Sequence, residues 1–596
     1  MNLPNVWPDG GLFVFSGLDG ETSWRWPFHA VPTVNEVGLD LYVANEQNHV
    51  SRIAKLALPR RHGPSALEGA IVLSDAAYLP ASADQPEVVL AWRDRGTLVG
   101  WVSGGTPTLA AADGSPASGR EAGVVEMVAP GGGAIVLMSR ADGRFALAYD
   151  EASADAAVAR ARAGVMASPR DVLQERARHQ SSVVLPANLG GAEERLARKC
   201  AAVLKANTET PQGAIPRRWT TPDRLPHRNM WLWDSAFHAI ALVYIDQELA
   251  KDAILAPLSR LRPDGMLPHM VAPDPAMDSA ITQPPLLAWA AWKVYEVTRD
   301  RAFLEEAYAS AARYVSWDLE HRKHGELLNW QIEDDPLCRC GESGLDNSPR
   351  FDKGDISAAV DFSSEAALEA ESLSRIAAAL GRSEDAASWR GVRDRLARAV
   401  ETHLWDESRS IYRDLAADPV HGFNPVETHI SFLPLIAGIP IIGRAKRLVR
   451  TLCDPRRFWR AMPVPSTAAD DRNYSDDMWR GPTWVNINYL IIEGLRRYGF
   501  GQEAHELAQR TLAGVLRGYQ AEGVLFEFFD AEGTRPSGEL SRKGGPGRRE
   551  ASALGVIRDY GWTAAVTLRM LLEGEKPEQQ GSSAAGPEGT VRPPIR

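Results

Sequence analysis

The chain reads as a multidomain protein of α and β parts, with an N-terminal β-sandwich followed by a C-terminal (α/α)6 barrel. Three observations predict this. Residues 1–150 carry short β-branched and aromatic runs punctuated by Gly, Pro, Asp and Ser. Residues 190–575 change to apolar spacings of three and four, as at Ala366, Ala370, Leu373 and Ala377. Within that second region, polar and aromatic motifs recur at every second helix. A chain of 596 residues also exceeds one ordinary hydrophobic core.

Taken in order, the runs Gly11–Ser16, Gly38–Ala44, Val88–Trp92, Leu98–Val102 and Ala134–Ser139 are expected to be strands of the sandwich. Residues 151–189 are rich in Ala and Arg at their start and read as a helical linker. Twelve helices are expected next, at 191–208, 233–248, 249–261, 284–298, 301–322, 357–380, 384–403, 426–438, 441–454, 482–499, 501–519 and 550–573. Paired as six hairpins, they suit a toroid of alternating inner and outer helices. The tail, 576–596, is Gly, Ser, Pro, Glu and Gln and is expected to be disordered.

Composition narrows the function. A net charge of −11 and a pI near 5.7 argue against a nucleic-acid partner. No apolar run reaches the roughly 18 residues that a membrane span needs, and the N-terminus lacks the basic and apolar regions of a signal peptide. A cytoplasmic enzyme is therefore expected, with oligomeric state left open. Cys200, Cys338, Cys340 and Cys453 read as free thiols, since Cys338 and Cys340 lack a zinc-type spacing and no His cluster completes a site. No cofactor or metal is expected. Of the 18 Trp residues, 13 lie between Trp219 and Trp562. Core packing accounts for part of them, but Trp faces beside carboxylates also suit the C–H faces of sugar rings.

The motifs fall in phase. Residues 228–234, Arg-Asn-Met-Trp-Leu-Trp-Asp, open the second helix, and Gln283-Pro284-Pro285 opens the fourth. The loop from Glu342 to Asp352 precedes the sixth, and Asn424-Pro425-Val426-Glu427 the eighth. Residues 474–484 open the tenth, and Phe526-Glu527-Phe528-Phe529-Asp530 lies before the twelfth. If the even helices form the inner ring, these six connections surround one pocket.

That pocket would hold a carboxylate pair, the requirement for glycoside hydrolysis: one acid for the leaving oxygen, one base for water. Asp346 is the candidate acid, in a turn-rich loop where Leu345 and Trp330 suggest partial desolvation. Glu527, between two Phe residues, is the candidate base. A helix-capping Asp and an exposed strand carboxylate are the plain structural alternatives. The candidate substrate contacts are Trp233, Asp234, Gln283, Trp330, Glu342, Asn347, Arg350, Trp479, Arg480, Trp484 and Trp562. His238 reads as a core histidine. The basic stretch 535–549 would be a solvated loop or, through Arg548 and Arg549, a contact for an anionic aglycone.

Trp-Leu-Trp-Asp-Ser-Ala-Phe-His at 231–238, Gln-Pro-Pro at 283–285 and Glu-Ser-Gly-Leu-Asp-Asn-Ser-Pro-Arg at 342–350 resemble glycoside hydrolase family 63. So do the stretch from Trp479 to Tyr489 and the Phe-Glu-Phe-Phe-Asp element at 526–530. The trehalases of family 37 are a more distant resemblance. The resemblance to family 63 implies an (α/α)6 barrel and metal-free, inverting hydrolysis of α-glucosides or related α-glycosides, with Asp346 as acid and Glu527 as base. The substrate would be a small saccharide or glycoside. Asp559-Tyr560-Gly561-Trp562 departs from the family's Phe-Ser-Trp-like element, which leaves the aglycone open. A phosphorylase or a non-catalytic carbohydrate-binding protein on the same toroid are the alternatives.

Overall fold

The computed structural model describes all residues except 1–10, 25–28, 31–36, 45–49, 63–66, 130–131, 334, 336, 353–355, 419, 421, 545–554 and 574–596. The expected tail, the start of the twelfth helix, and Arg548 and Arg549 lie outside the described residues.

The N-terminal region is β-rich. Its strands are β1 (His29–Ala30), β2 (Gly38–Ala44), β3 (Val50–Ala57), β4 (Ile71–Val72), β5 (Ala76–Leu79) and β6 (Val88–Asp94). They continue with β7 (Thr97–Val102), β8 (Thr108–Ala111), β9 (Ser118–Glu121), β10 (Val124–Val128), β11 (Ala134–Ser139) and β12 (Arg144–Asp150). One antiparallel sheet runs β1-β2-β3-β8; the other runs β4-β5-β6-β7-β12-β11-β10-β9. Leu39, Leu41, Ile53 and Leu56 of the smaller sheet meet Leu90, Trp92, Ile135, Leu137 and Leu147 of the larger. Alternate residues of the larger sheet, Val89, Ala91 and Val136, face the opposite way. They are covered by α1 (Ala154–Val165) and α2 (Pro169–Ser182), capped by Ser153 and Ser168. Burial on both faces explains why Val88–Trp92 reads as an unbroken apolar run.

One expected strand takes another role. Gly11–Ser16 belongs to neither sheet. Its polar groups go elsewhere: Val14 N–H donates to Ser74 O, Leu12 N–H to Asp559, and the Ser16 hydroxyl to Lys205 O. The segment thus joins the β-rich region to the helices. Beside it the buried Lys205 ammonium lies 2.6 Å from Asp19 and 2.8 Å from Asp75.

The helices are α3 (Gly191–Ala206), α4 (Leu232–Leu242), α5 (Gln247–Leu258), α6 (Leu287–Thr298), α7 (Arg301–His321) and α8 (Val360–Ala379). They are followed by α9 (Ser383–His403), α10 (Ile442–Leu452), α11 (Val485–Arg497), α12 (Gly501–Glu522) and α13 (Gly561–Glu573). The eighth expected helix is a 3-10 run, His429–Leu435, because Pro434 has no N–H for an α-helical bond and shortens the turn. α4 packs on α6, α6 on α8, α8 on the 3-10 run, that run on α11, α11 on α13, and α13 back on α4. The ring is closed. Each of its members also packs against one of α3, α5, α7, α9, α10 and α12.

Burial follows this placement. Every residue of α4 is buried, whereas α9 buries Ala386, Leu396, Ala397, Ala399 and Val400 and turns its charged side to solvent. The result is a helical toroid whose inner helices start at the motif-bearing loops.

Candidate active site

The acid loop is fixed by long-range contacts before Asp346 is reached. A short 3-10 turn, Gly341–Ser343, leads to Gly344 at φ +71°, where a Cβ would lie 2.6 Å from the Trp233 ring. Only glycine allows that approach. Glu342 is fully buried, and its carboxylate accepts from Arg322 Nε (2.9 Å) and Nη2 (2.7 Å) and from the N–H groups of Thr282 and Gln331. Asn347 Oδ1 accepts the Trp479 N–H at 3.0 Å. Arg350, 1% exposed, is held by Asp361 at 2.6 Å and Asp414 at 3.3 Å.

Asp346 itself is different. Its side chain is 19% exposed, and its Oδ2 lies 2.5 Å from Lys543 Nζ. The sequence suggests an apolar setting for this carboxyl; the fold instead places an ammonium against it. Burial alone would lower the Lys543 pKa, but the charge and hydrogen bond of Asp346 together with Cys338 outweigh it, and the net shift is upward.

Glu527 lies on a short paired segment. Its N–H donates to Ile557 O at 3.0 Å, the Thr563 hydroxyl to Phe526 O at 2.7 Å, and Trp562 Nε1 to Glu527 O at 3.3 Å. Thr483 and Phe529 exchange two backbone bonds on the other side. The flanking Phe526 and Phe528 are fully buried, and Glu527 is 2% exposed. Its carboxylate meets Arg542 through two bonds, Nε at 2.8 Å and Nη2 at 3.3 Å. Burial works against the Arg542 charge, and attraction to Glu527 reverses this, so its pKa also rises.

Arg542 and Lys543 are anchored through backbone. Met478 N–H donates to Ser541 O, Ser541 N–H to Asp476 O, and Gly544 N–H to Asp477 Oδ2. Arg535 adds an ion pair to Asp476 at 2.5 Å. One basic loop therefore serves both carboxylates. Arg542 also senses the Asp346 charge, which places the four groups in a single electrostatic site.

Around them stands an aromatic wall. Trp479 and Trp484 stack with centroids 3.4 Å apart, and Trp562 meets Trp233 edge-on at 5.3 Å. Asp234, 1% exposed, has one carboxylate oxygen without a partner. Burial, the nearby Asp223 and then Glu527 raise its pKa well above the usual carboxylate range. Gln283 Oε1 accepts the Trp233 N–H at 3.1 Å and so holds the start of α4.

The expected site residues thus divide. Asp346, Glu527, Asp234, Trp233, Trp479, Trp484 and Trp562 come together. Gln283, Glu342, Asn347 and Arg350 hold the loops in place, and Arg480 pairs with Asp352 in two bonds, 3.0 and 2.5 Å. Trp330 stacks on Phe362 at 3.8 Å and donates to Asp361. His238 is buried against Thr220, its pKa lowered to about 3 by desolvation.

Asp223 and His227 join the site without any motif that marks them, and Tyr560 joins it from the Asp559–Trp562 element, where Trp562 alone is an expected substrate contact. Tyr560 is buried, with its pKa raised by burial and then by Asp234 and Glu527. Asp223 Oδ2 lies 2.5 Å from His227 Nδ1. Arg542 and Lys543 fall inside the basic stretch, nearer Glu527 in sequence than the expected contacts Arg548 and Arg549, which lie outside the described residues. Their signal is a basic doublet in the same connection as Glu527. Among the described residues, no group of three or more His, Cys, Asp or Glu could hold a metal ion, and no helix is long and apolar enough to cross a membrane.

Comparison with known proteins adds a family and a fold likeness. The mannosylglycerate hydrolase of Thermus thermophilus is 28% identical over 414 residues, which cover 56% of this chain and 94% of that protein. A crystal structure of a family 63 mannosylglycerate hydrolase from Thermus thermophilus in complex with Tris superposes at a TM-score of 0.50 and 25% identity. It covers 63% of this chain and 99% of that one. A bacterial glucoamylase complexed with acarbose shares the fold at a TM-score of 0.57 and 10% identity, over 96% of both chains. The family described as the mannosylglycerate hydrolase MGH1-like glycoside hydrolase domain matches residues 227–563, a span that contains both candidate catalytic carboxylates, the aromatic wall and the two cations. The chain belongs to that family, a glycoside hydrolase of family 63 type.

Proposed function

We propose that this protein is an inverting α-glycosidase that cleaves a small α-glucoside or α-mannoside whose aglycone carries a carboxylate. Asp346 protonates the glycosidic oxygen, and Glu527 takes a proton from water on the opposite face of the anomeric carbon. A carboxylate has about four lone-pair directions, so Arg542 leaves Glu527 room for that water. The observation that carries the aglycone is the Lys543–Asp346 pair, since an ammonium beside the acid is where the leaving group departs. An incoming carboxylate takes over the Lys543 ammonium, and Asp346, released from that pair, takes a proton from solvent and passes it to the departing glycosidic oxygen. The name of the Thermus relative supports glycerate as such an aglycone.

The closed ring supports an (α/α)6 barrel at 190–575, with a β-sandwich at 1–150 joined by the helical linker. The four free cysteines fit a reducing compartment, and a cytoplasmic location belongs to the same reading.

Hydrolysis of mannosylglycerate, glucosylglycerate and neutral α-disaccharides, followed by NMR, tests the proposal. Inversion at the first-formed anomer and preference for the acidic glycosides are expected. Retained configuration rejects the mechanism. Preference for neutral sugars rejects the aglycone, and phosphate-dependent release of a sugar phosphate would make the protein a phosphorylase.

A further inference from the structure

We propose that Asp559 is a positioning residue that braces the paired segment carrying Glu527 against the N-terminal segment of the β-rich region. The inference rests on Glu527 as the base and concerns what holds that base in place.

The Asp559 carboxylate is 1% exposed and joins three distant parts of the chain. Oδ2 accepts the Leu12 N–H at 2.6 Å. Lys199, on α3, donates to the same oxygen at 3.0 Å. Oδ1 accepts the Leu525 N–H at 3.2 Å, two residues before Glu527. Lys199 supplies the charge that a carboxylate so buried requires.

Backbone geometry transmits the hold. Asp559 has φ +53°, a left-handed conformation that Asp and Asn adopt more readily than most residues. This turn returns the chain along the segment of the base: Glu527 N–H donates to Ile557 O, and Tyr560 N–H to Leu525 O, both at 3.0 Å. Trp562 Nε1 and the Thr563 hydroxyl then bond the carbonyls of Glu527 and Phe526. A shift of Asp559 would therefore move the residues on both sides of the base.

Gly11 gives an independent sign that the N-terminal segment is fitted to this carboxylate. At φ +111°, a Cβ on Gly11 would lie 2.4 Å from Asp559 Oδ2 and 2.5 Å from Lys199 Nζ. No side chain fits there. Leu12 and Lys199 both precede residue 227, where the family match begins, while Asp559 and Glu527 lie inside it. The β-rich region is thereby coupled to a catalytic element instead of merely adjoining it.

Two variants of the full chain test the brace, Asp559→Asn and Gly11→Ala; neither changes a group that touches substrate. Both are expected to lower kcat by about 10²-fold with KM little changed, because small displacements of a catalytic group cost rate more than binding. The double variant should lose no more than the worse single one. Hydrogen exchange by mass spectrometry should quicken in peptides covering 524–529 and 556–563 and stay unchanged in α6 to α9. Folded variants with wild-type kcat and wild-type exchange would overturn the proposal. So would a lowered melting point without either local change, which would make Asp559 a structural ion pair only. If the wild-type protein cleaves no glycoside, the base assignment fails, and the exchange pattern alone decides whether the brace exists.

Discussion

Asp346 and Glu527 both meet cations from one loop, but on different terms. Asp346 is about one-fifth exposed and faces a single flexible ammonium, while its neighbours Glu342, Asn347 and Arg350 are committed elsewhere. Glu527 is almost fully buried, takes two bonds from a planar guanidinium, and has its backbone segment pinned by Ile557, Trp562 and Thr563. Lys is a point charge on a flexible stem, whereas Arg presents a rigid fork. On the proposed roles, the acid side is built for exchange of partners, and the base side for a fixed pose. That suits a reaction in which the acid must meet a departing group and the base must aim one water.

The sharpest way to break this comparison is to remove each carboxylate. Asp346→Asn and Glu527→Gln should each lower kcat by about 10²–10⁴-fold, the range of general acid or base catalysis. A rate near wild type for either variant in a glycoside assay dismisses that residue. Next comes Arg542→Ala, which leaves Glu527 buried without its partner. Breaking one side of such a buried pair costs about 3–5 kcal/mol, so urea unfolding should show a large loss. Arg542→Lys should recover only part of it, because the fork is missing. An unchanged denaturation midpoint would show that the base side is not the rigid one.

Lys543→Met should do far less to stability, within about 1 kcal/mol, since the pair is partly exposed. Its effect belongs to substrate: KM for an acidic glycoside should rise about tenfold, equivalent to about 1.4 kcal/mol. Neutral glycosides, which cannot draw the ammonium from Asp346, should be turned over at least as fast as by the wild type. Equal losses on both substrates would mean that Lys543 serves only Asp346.

The helical ring is legible in the sequence because its signal is local. Apolar spacing and helix-start motifs locate inner and outer helices alike, although the eighth, expected at 426–438, is a 3-10 run around Pro434. The Gly11–Ser16 segment misleads for the opposite reason. Its composition is that of a strand, but its bonding partners are Ser74, Lys205 and Asp559, which no window of sequence brings near. Arg350 shows the same limit within the site. It stands in a motif rich in chemistry, and only the fold reveals Asp361 and Asp414 around it. Arg542 reaches Glu527 from 15 residues downstream through a loop path set by Asp476, Asp477 and Met478. The motifs identify the carboxylates, but their counter-charges come from tertiary structure.

The smallest expected effect concerns protons and sharpens the comparison from the base side. Asp234 lies there with one oxygen unpartnered, and burial, then Asp223 and Glu527, raise its pKa well above the usual carboxylate range. An acid with a raised folded pKa keeps a proton that the unfolded chain has released. Between those two pKa values the folded state binds more protons, so stability falls as pH rises above about 4 until the folded group titrates. Asp234→Asn carries no such proton. Its unfolding free energy should decline less steeply with pH than that of the wild type, with a difference at low pH of about 1 kcal/mol or less. Parallel pH profiles in urea titrations would show that Asp234 is ionised in the folded protein. The base side would then hold two charges near one guanidinium, and its fixed pose would need another source of neutralisation.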